Sequence, residues 1–238
     1  MHAEILGSGP RVVLVHGSVT GVRAWTGQRG LAERFQLELV TRPGFPPLPP
    51  VESVDFEEHA ELLIAHLAEG ETAHVVGHSY GGVVALLAAA QTPVRSLTVI
   101  EPPAYGIARG RPEVEELVTR FARHWTDGPR DPRAFLAGFL AGVGAEIELD
   151  DPLPDWLEQG ARTLMVERPP WEAEIPFDRL RGIPALVVSG GHSSSSDAVC
   201  DVLERELRAE RAVLPGAGHS AQRAPGFNET LTAFLART

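Results

Sequence analysis

Six short runs of Val, Leu and Ile recur along the chain without alternating apolar and polar residues: "VVLV" (12–15), "LELV" (37–40), "AHVVG" (73–77), "LTVI" (97–100), "ALVVSG" (185–190) and "RAVLPG" (211–216). A strand with one face in water alternates, whereas a strand apolar throughout needs cover on both sides. The runs therefore predict a mostly parallel sheet enclosed between helical layers. The intervening segments 53–70, 80–91, 197–210 and 227–236 carry helical spacing, and strand and helix take turns along the chain. That order specifies an α/β fold with right-handed crossovers. "HAEIL" (2–6) offers one further edge strand, and the proline-rich "TRPGFPPLPPVES" (41–53) reads as a surface loop.

The alternation stops between about 105 and 181. Three helical candidates stand there, 112–126, 131–143 and 154–168, joined by the proline-bearing connectors "DGPRDP" and "DDPLPD". The chain thus divides into a core of 1–104 and 182–238 and a helical insert of 105–181 that caps it. Trp125, Trp156 and Trp171 lie in the insert with Phe121, Phe135, Phe139 and Met165, and most of these pack the insert itself or its contact with the core. Trp125, Trp156 and Phe139, together with Val19, are the candidates for lining an apolar substrate cavity.

Composition removes several classes of function. All positive charge is arginine, as in a GC-rich bacterial coding sequence, and the net charge of −11 speaks against nucleic acid or an anionic membrane as partner. No run approaches the roughly 18 apolar residues of a membrane span. The lone Cys200 excludes an internal disulfide, and the N-terminal residues show no leader pattern. A cytoplasmic protein, monomeric or homodimeric, is expected.

The chemistry begins at "VVGHSYGGVV" (75–84), which joins a strand to an apolar helix. G-x-S-x-G in that setting is a nucleophile elbow: the glycines permit a turn sharp enough to expose the Ser79 hydroxyl. The Tyr80 backbone amide, at the helix N-terminus, is placed to stabilise a developing oxyanion. A second donor is expected from "VVLVHGSVTG" (12–21), with the Ser18 amide ahead of Val19. His16 precedes the nucleophile and reads as a brace for this loop rather than as a base.

In order and spacing, "HGSVTGVRAW", "TRPGF", "GHSYGGV" and "LPGAGHS" resemble the α/β-hydrolase fold, in particular small serine hydrolases with a helical cap. The resemblance implies that "LPGAGHS" delivers the base, His219. A neutral imidazole is the group that activates a serine hydroxyl near neutral pH. The remaining histidines, His2, His59, His66, His74, His78, His124 and His192, show no metal-ligand spacing and are taken as structural or solvent-facing.

The third member of the triad is displaced. Where the resemblance implies Gly-x-x-Asp after the strand "ALVVSG", the chain has Gly190-Gly191-His192-Ser193. A serine there supplies no negative charge to steady an imidazolium. Two carboxylates remain as the acid: Glu101, at the end of the preceding strand, and Asp197, which also resembles a helix N-cap. Certain lactone hydrolases and haloalkane dehalogenases carry the acid at the earlier strand end, which favours Glu101.

The reading is a serine hydrolase of a hydrophobic carboxylic ester or lactone, needing no metal or organic cofactor. Serine at the elbow separates it from dehalogenases and the usual epoxide hydrolases of this fold. Thioester hydrolysis, carbon–carbon bond hydrolysis and a non-catalytic small-molecule receptor stay open as alternatives.

Overall fold

The computed structural model describes residues 1–145 and 148–238; residues 146 and 147, inside the 105–181 insert, lie outside the described residues. Among the described residues seven strands form one sheet: β1 (His2–Leu6), β2 (Arg11–Val15), β3 (Gln36–Thr41), β4 (His74–His78), β5 (Ser96–Ile100), β6 (Ala185–Ser189) and β7 (Glu210–Val213). Their spatial order is β1-β3-β2-β4-β5-β6-β7. Of these seven, β1 alone runs antiparallel, with His2 opposite Thr41. The pairs from β3 to β7 are parallel.

The apolar runs follow from this placement. Successive side chains of a strand point to opposite faces, so Val13 and Val15 enter one buried cluster and Val12 and Leu14 the other. The first cluster holds α1 (Phe56–Leu67) and α2 (Tyr80–Ala89). The second holds Trp25 and, from the C-terminus, Phe227, Leu231 and Phe234. Burying both faces leaves no position for a polar alternation, except where a side chain finds a partner; the edge strand β7 departs from the expectation, because among the described residues no strand covers its outer side and Glu210 and Val213 are exposed. Glu38, 2% exposed, is such a case: it takes Arg11 at 2.7 Å and His66 at 2.8 Å.

Between β5 and β6 the chain leaves the sheet for α3 (Pro112–Asp127), α4 (Pro132–Gly142), α5 (Asp155–Met165) and the short α6 (Phe177–Leu180), with 3-10 turns at Tyr105–Ala108 and Pro170–Glu172. Proline opens both α3 and α4, where its missing N–H costs nothing. α7 (Ser194–Leu207) and α8 (Phe227–Leu235) complete the core. Among the described residues no helix is long and apolar enough to cross a membrane.

One seam between insert and core is a backbone bridge. Val54 and Glu167 form a parallel bridge, with Val54 N donating to Val166 O at 3.0 Å and Arg168 N to Val54 O at 2.8 Å. Beneath it Arg42 Nη2 meets Glu167 Oε1 at 2.9 Å, with side chains 0% and 2% exposed. One sequence expectation fails next to this frame. The N-cap of α7 is Ser193, whose hydroxyl accepts from Ser196 N, and Asp197 lies inside the first turn. The serine run starts the helix one turn earlier than "DAVC" suggests, because serine is itself a strong cap.

Candidate active site

The parallel strands end along one edge of the sheet, and the chemistry gathers there. β4 turns into α2 at Ser79, whose φ of 52° and ψ of −128° lie outside the helical and extended regions. The turn demands small neighbours: a Cβ on Gly81 would collide with the carbonyl oxygens of Val15 and His16, and one on Gly77 with Gly81 O. Such strain persists only where the surroundings enforce it, and Ser79 N is tied to Ile100 O at 2.8 Å. The result lifts the hydroxyl off the sheet edge toward His219.

His219, on the loop after β7, has its Nε2 2.9 Å from Ser79 Oγ. Its Nδ1 stands 3.5 Å from Glu101 Oε2, and the Glu101 carboxylate is fully buried. Glu101 follows β5 with a φ of 48°, a left-handed conformation rare for a non-glycine residue. Its Oε1 accepts the Gly190 amide at 2.6 Å. Burial pushes the Glu101 carboxyl up, but the facing His219 imidazole, the Gly190 amide and nearby His192 outweigh it and hold the group below the usual carboxylate value.

Asp197 is engaged elsewhere. It accepts Ser189 Oγ at 2.6 Å and Arg211 Nη2 at 3.1 Å. Of the two carboxylates the sequence leaves open, Glu101 is the one that faces His219. The serine run also stays clear of the chemistry: Ser195 Oγ donates to Glu113 O at 2.9 Å and Ser193 caps α7.

The loop after β2 passes over Ser79. A Cβ on Gly17 would lie 2.7 Å from Ser79 Cβ, so glycine is what lets the backbone approach. His16 braces this loop in one tautomer: Nδ1–H donates to Gly17 O at 2.7 Å and Nε2 accepts Arg42 N–H at 3.1 Å. Burial and the adjacent Arg42 hold His16 well below the ordinary imidazole value, so it stays neutral. Ser18 follows, beside Ser79, with its hydroxyl donating to Glu167 Oε2. Tyr80 opens α2, where a first-turn amide has no acceptor inside its own helix. Val19, at φ 76°, is buried among Phe135, Leu136 and Leu164 of the insert.

Two spaces meet at Ser79 and His219. One is a narrow pocket of about 30 Å³ walled by Phe121, Trp125, Phe139 and Trp171, with Glu167 and Ser18 as its polar side. Trp125 meets Phe121, Phe135, Phe139 and Trp171 edge-on, and Phe121 stacks on Trp171 at 6.3 Å. The other is a wider cleft of about 390 Å³ bordered by Val19, Leu140, Gly144, Gln222 and Arg223. Trp156 lines neither space, contrary to the sequence expectation. Its ring lies under the Arg23 guanidinium at 4.6 Å, a cation–π contact with the core that holds the indole away from the site.

Four residues act here that the sequence reading left aside. His78 Nε2–H donates to His219 O at 2.9 Å and so fixes the loop carrying the imidazole. Burial and the neighbouring His219 hold the His78 value down to about 3. Arg42 and Glu167 form the buried pair behind Ser18. Burial raises the Glu167 carboxyl, and Arg42 and Ser18 offset only part of that. His192 brings its Nδ1 within 3.6 Å of Glu101 Oε1. None carries a local signal, because each acts through a partner more than 80 residues away.

Comparison with known proteins gives the chain's family. Residues 12–227 match the model of the "Alpha/beta hydrolase family". A pimeloyl-[acyl-carrier protein] methyl ester esterase of Methylococcus capsulatus is 33% identical over 175 residues, covering 71% of this chain and 65% of that protein. The enzyme of the same name from Chromobacterium violaceum is 39% identical over 104 residues, or 42% of this chain and 40% of that one. The chain thus spans less than two thirds of the length of either relative. Among solved structures, an alpha/beta hydrolase from Sphaerobacter thermophilus superposes with a TM-score of 0.70 at 27% identity, covering 98% of this chain and 95% of that one.

Proposed function

The chain belongs to the alpha/beta hydrolase family, and from that premise we propose that it is a serine esterase in which Ser79, His219 and Glu101 form the triad. The observation that carries the reading is the 2.9 Å contact between His219 Nε2 and Ser79 Oγ at the tip of a strained elbow. Ser79 Oγ attacks the ester carbonyl as its proton passes to His219 Nε2. The resulting imidazolium keeps its Nδ1–H toward Glu101, whose buried charge stabilises it. The Ser18 and Tyr80 amides take the oxyanion. Collapse expels the alcohol, which receives the proton from Nε2, and leaves an acyl group on Ser79. Water then enters, His219 takes one of its protons, and the acid is released with Ser79 restored.

The two spaces suggest how an ester lies. A pocket of about 30 Å³ accepts only a very small group, and its aromatic walls favour an apolar one. The wider cleft, at about 390 Å³, suits a long chain leading out to solvent past Arg223. A methyl ester of a long acyl chain fits this division, with the methoxy group inward and the chain in the cleft. The methyl ester in the names of the two relatives supports the same reading.

Intact-mass labelling with a fluorophosphonate tests the nucleophile. One adduct on the wild type and none on Ser79→Ala is expected. Labelling that persists in the variant, or its absence on the folded wild type, would remove the esterase reading.

A further inference from the structure

The Glu101 carboxylate has an imidazole on each side. His219 Nδ1 is 3.5 Å from Oε2 and His192 Nδ1 is 3.6 Å from Oε1. The His192 separation is too long for a hydrogen bond, and among the described residues the buried Oε2 atom has no hydrogen-bond partner. One ligand atom from each of the three residues, two nitrogens and an oxygen, can be chosen so that all lie within 4.8 Å of one another. With zinc–nitrogen and zinc–oxygen bonds of about 2.0–2.2 Å, adjacent ligands of a tetrahedral ion stand about 3.4 Å apart. The two observed separations, His219 to Oε2 and His192 to Oε1, are each close to that edge, and with one oxygen shared by both imidazoles the widest pair is still within 4.8 Å.

We propose that Glu101, His192 and His219 form a binding site for a zinc-like divalent cation, and that its occupancy switches the hydrolase off. Two imidazoles and one carboxylate suit zinc, cobalt or nickel better than magnesium or calcium, which prefer oxygen alone. A water completes the fourth position. The way in runs past His192, whose side chain is 19% exposed, along a surface recess bordered by Glu113, Glu116 and Arg120. Two of these three charges attract a cation.

The inhibition follows from the tautomer and rests on His219 being the base of the proposed hydrolysis. In the working state Nδ1 carries the imidazole proton and Nε2 offers its lone pair to Ser79. A metal on Nδ1 needs a lone pair on that nitrogen, so the single proton of the neutral ring moves from Nδ1 to Nε2. Nε2 then donates to Ser79 Oγ and accepts nothing, and Ser79 is no longer activated. Both substrate spaces stay open, so the metal lowers kcat and leaves KM unchanged.

The test uses metal-stripped wild type, His192→Ala and Glu101→Gln. Cobalt binding is followed by its visible bands and zinc binding by calorimetry. Expected are tetrahedral cobalt bands in the wild type and zinc affinity at least about tenfold lower in either variant. With each rate normalised to its own metal-free value, zinc inhibits wild-type ester turnover, EDTA reverses it, magnesium does nothing, and His192→Ala needs about tenfold more zinc. Absence of zinc binding, unchanged affinity in both variants, or equal zinc sensitivity with and without His192 overturns the site. Zinc binding lost in the variants from a protein without ester turnover sustains the site and removes the hydrolase reading; ester turnover without zinc binding does the reverse.

Discussion

Glu101 holds the amide of Gly190 with one carboxylate oxygen, at 2.6 Å, and presents the other to His219. The hydrogen bond pins a carboxylate from the end of β5 across the mouth of β6, the strand whose following loop lacks an aspartate. Glu101→Gln keeps the shape and removes the charge that, in the proposed hydrolysis, steadies the imidazolium. In triads of this kind such a loss costs about 10⁴ in kcat. Turnover of an aryl ester at neutral pH should fall by about that order in Glu101→Gln and by no more than a few-fold in Asp197→Asn. The opposite ranking would give the role to Asp197.

The Arg42–Glu167 pair sits behind the Ser18 loop. Glu167→Gln leaves the Arg42 guanidinium buried without a counter-charge, a change that costs about 3–5 kcal/mol. The denaturant midpoint should drop markedly, and so should kcat as Ser18 loses its anchor. Replacing both members, Arg42→Met with Glu167→Leu, should recover much of the stability but not the activity. A double variant less stable than both single ones would contradict this account.

Acid should destabilise the fold well above the carboxylate range. Burial holds His59 and His78 down to about 3 and His16 well below its ordinary value of 6.5. All three stay neutral in the folded chain, whereas in the unfolded chain they take up protons as pH falls below about 6.5. Their contribution to stability is therefore complete above that pH and is lost toward pH 3. Together they amount to up to about 4 kcal/mol per pH unit once the unfolded histidines are charged. Glu38, lowered to about 2 by His66, Arg11 and Gln36 against the effect of burial, adds a second window between about 4.5 and 2. Urea midpoints at pH 7.5, 6 and 5 should decline steadily, and a flat series would refute the neutral-histidine assignment.

Trp125 walls the narrow pocket. Trp125→Ala should relax the preference for small alcohols, raising the butyl-to-methyl ratio of kcat/KM by about tenfold. It should also lower stability by about 3 kcal/mol, as large-to-small changes in packed clusters do. An unchanged ratio would place the alcohol in the wider cleft instead.

Much of this was legible in the sequence because it is written locally. Apolar runs state two-sided burial, and the elbow glycines state a close approach of backbone that no Cβ permits. The vacancy at Ser193 and the candidacy of Glu101 could be read from strand ends. What could not be read was partnership across the fold. Nothing in "MVERPP" says that Glu167 will meet Arg42, and nothing in "GGHSS" says that His192 will share a carboxylate with His219. Trp156 went the same way: an aromatic residue in the insert gives no sign of which surface Arg23 will draw it to.

The buried ion pair across the seam also limits how this protein can be recombined. The insert is contiguous in sequence and invites transplantation onto another core as a ready-made lid. Glu167, however, travels with the insert while Arg42 remains with the strand-end loop of the core. A chimera would seal one uncompensated charge into its interior and leave another behind, at a cost of several kcal/mol on each side. A transplanted insert therefore needs both members of the pair carried over or both replaced.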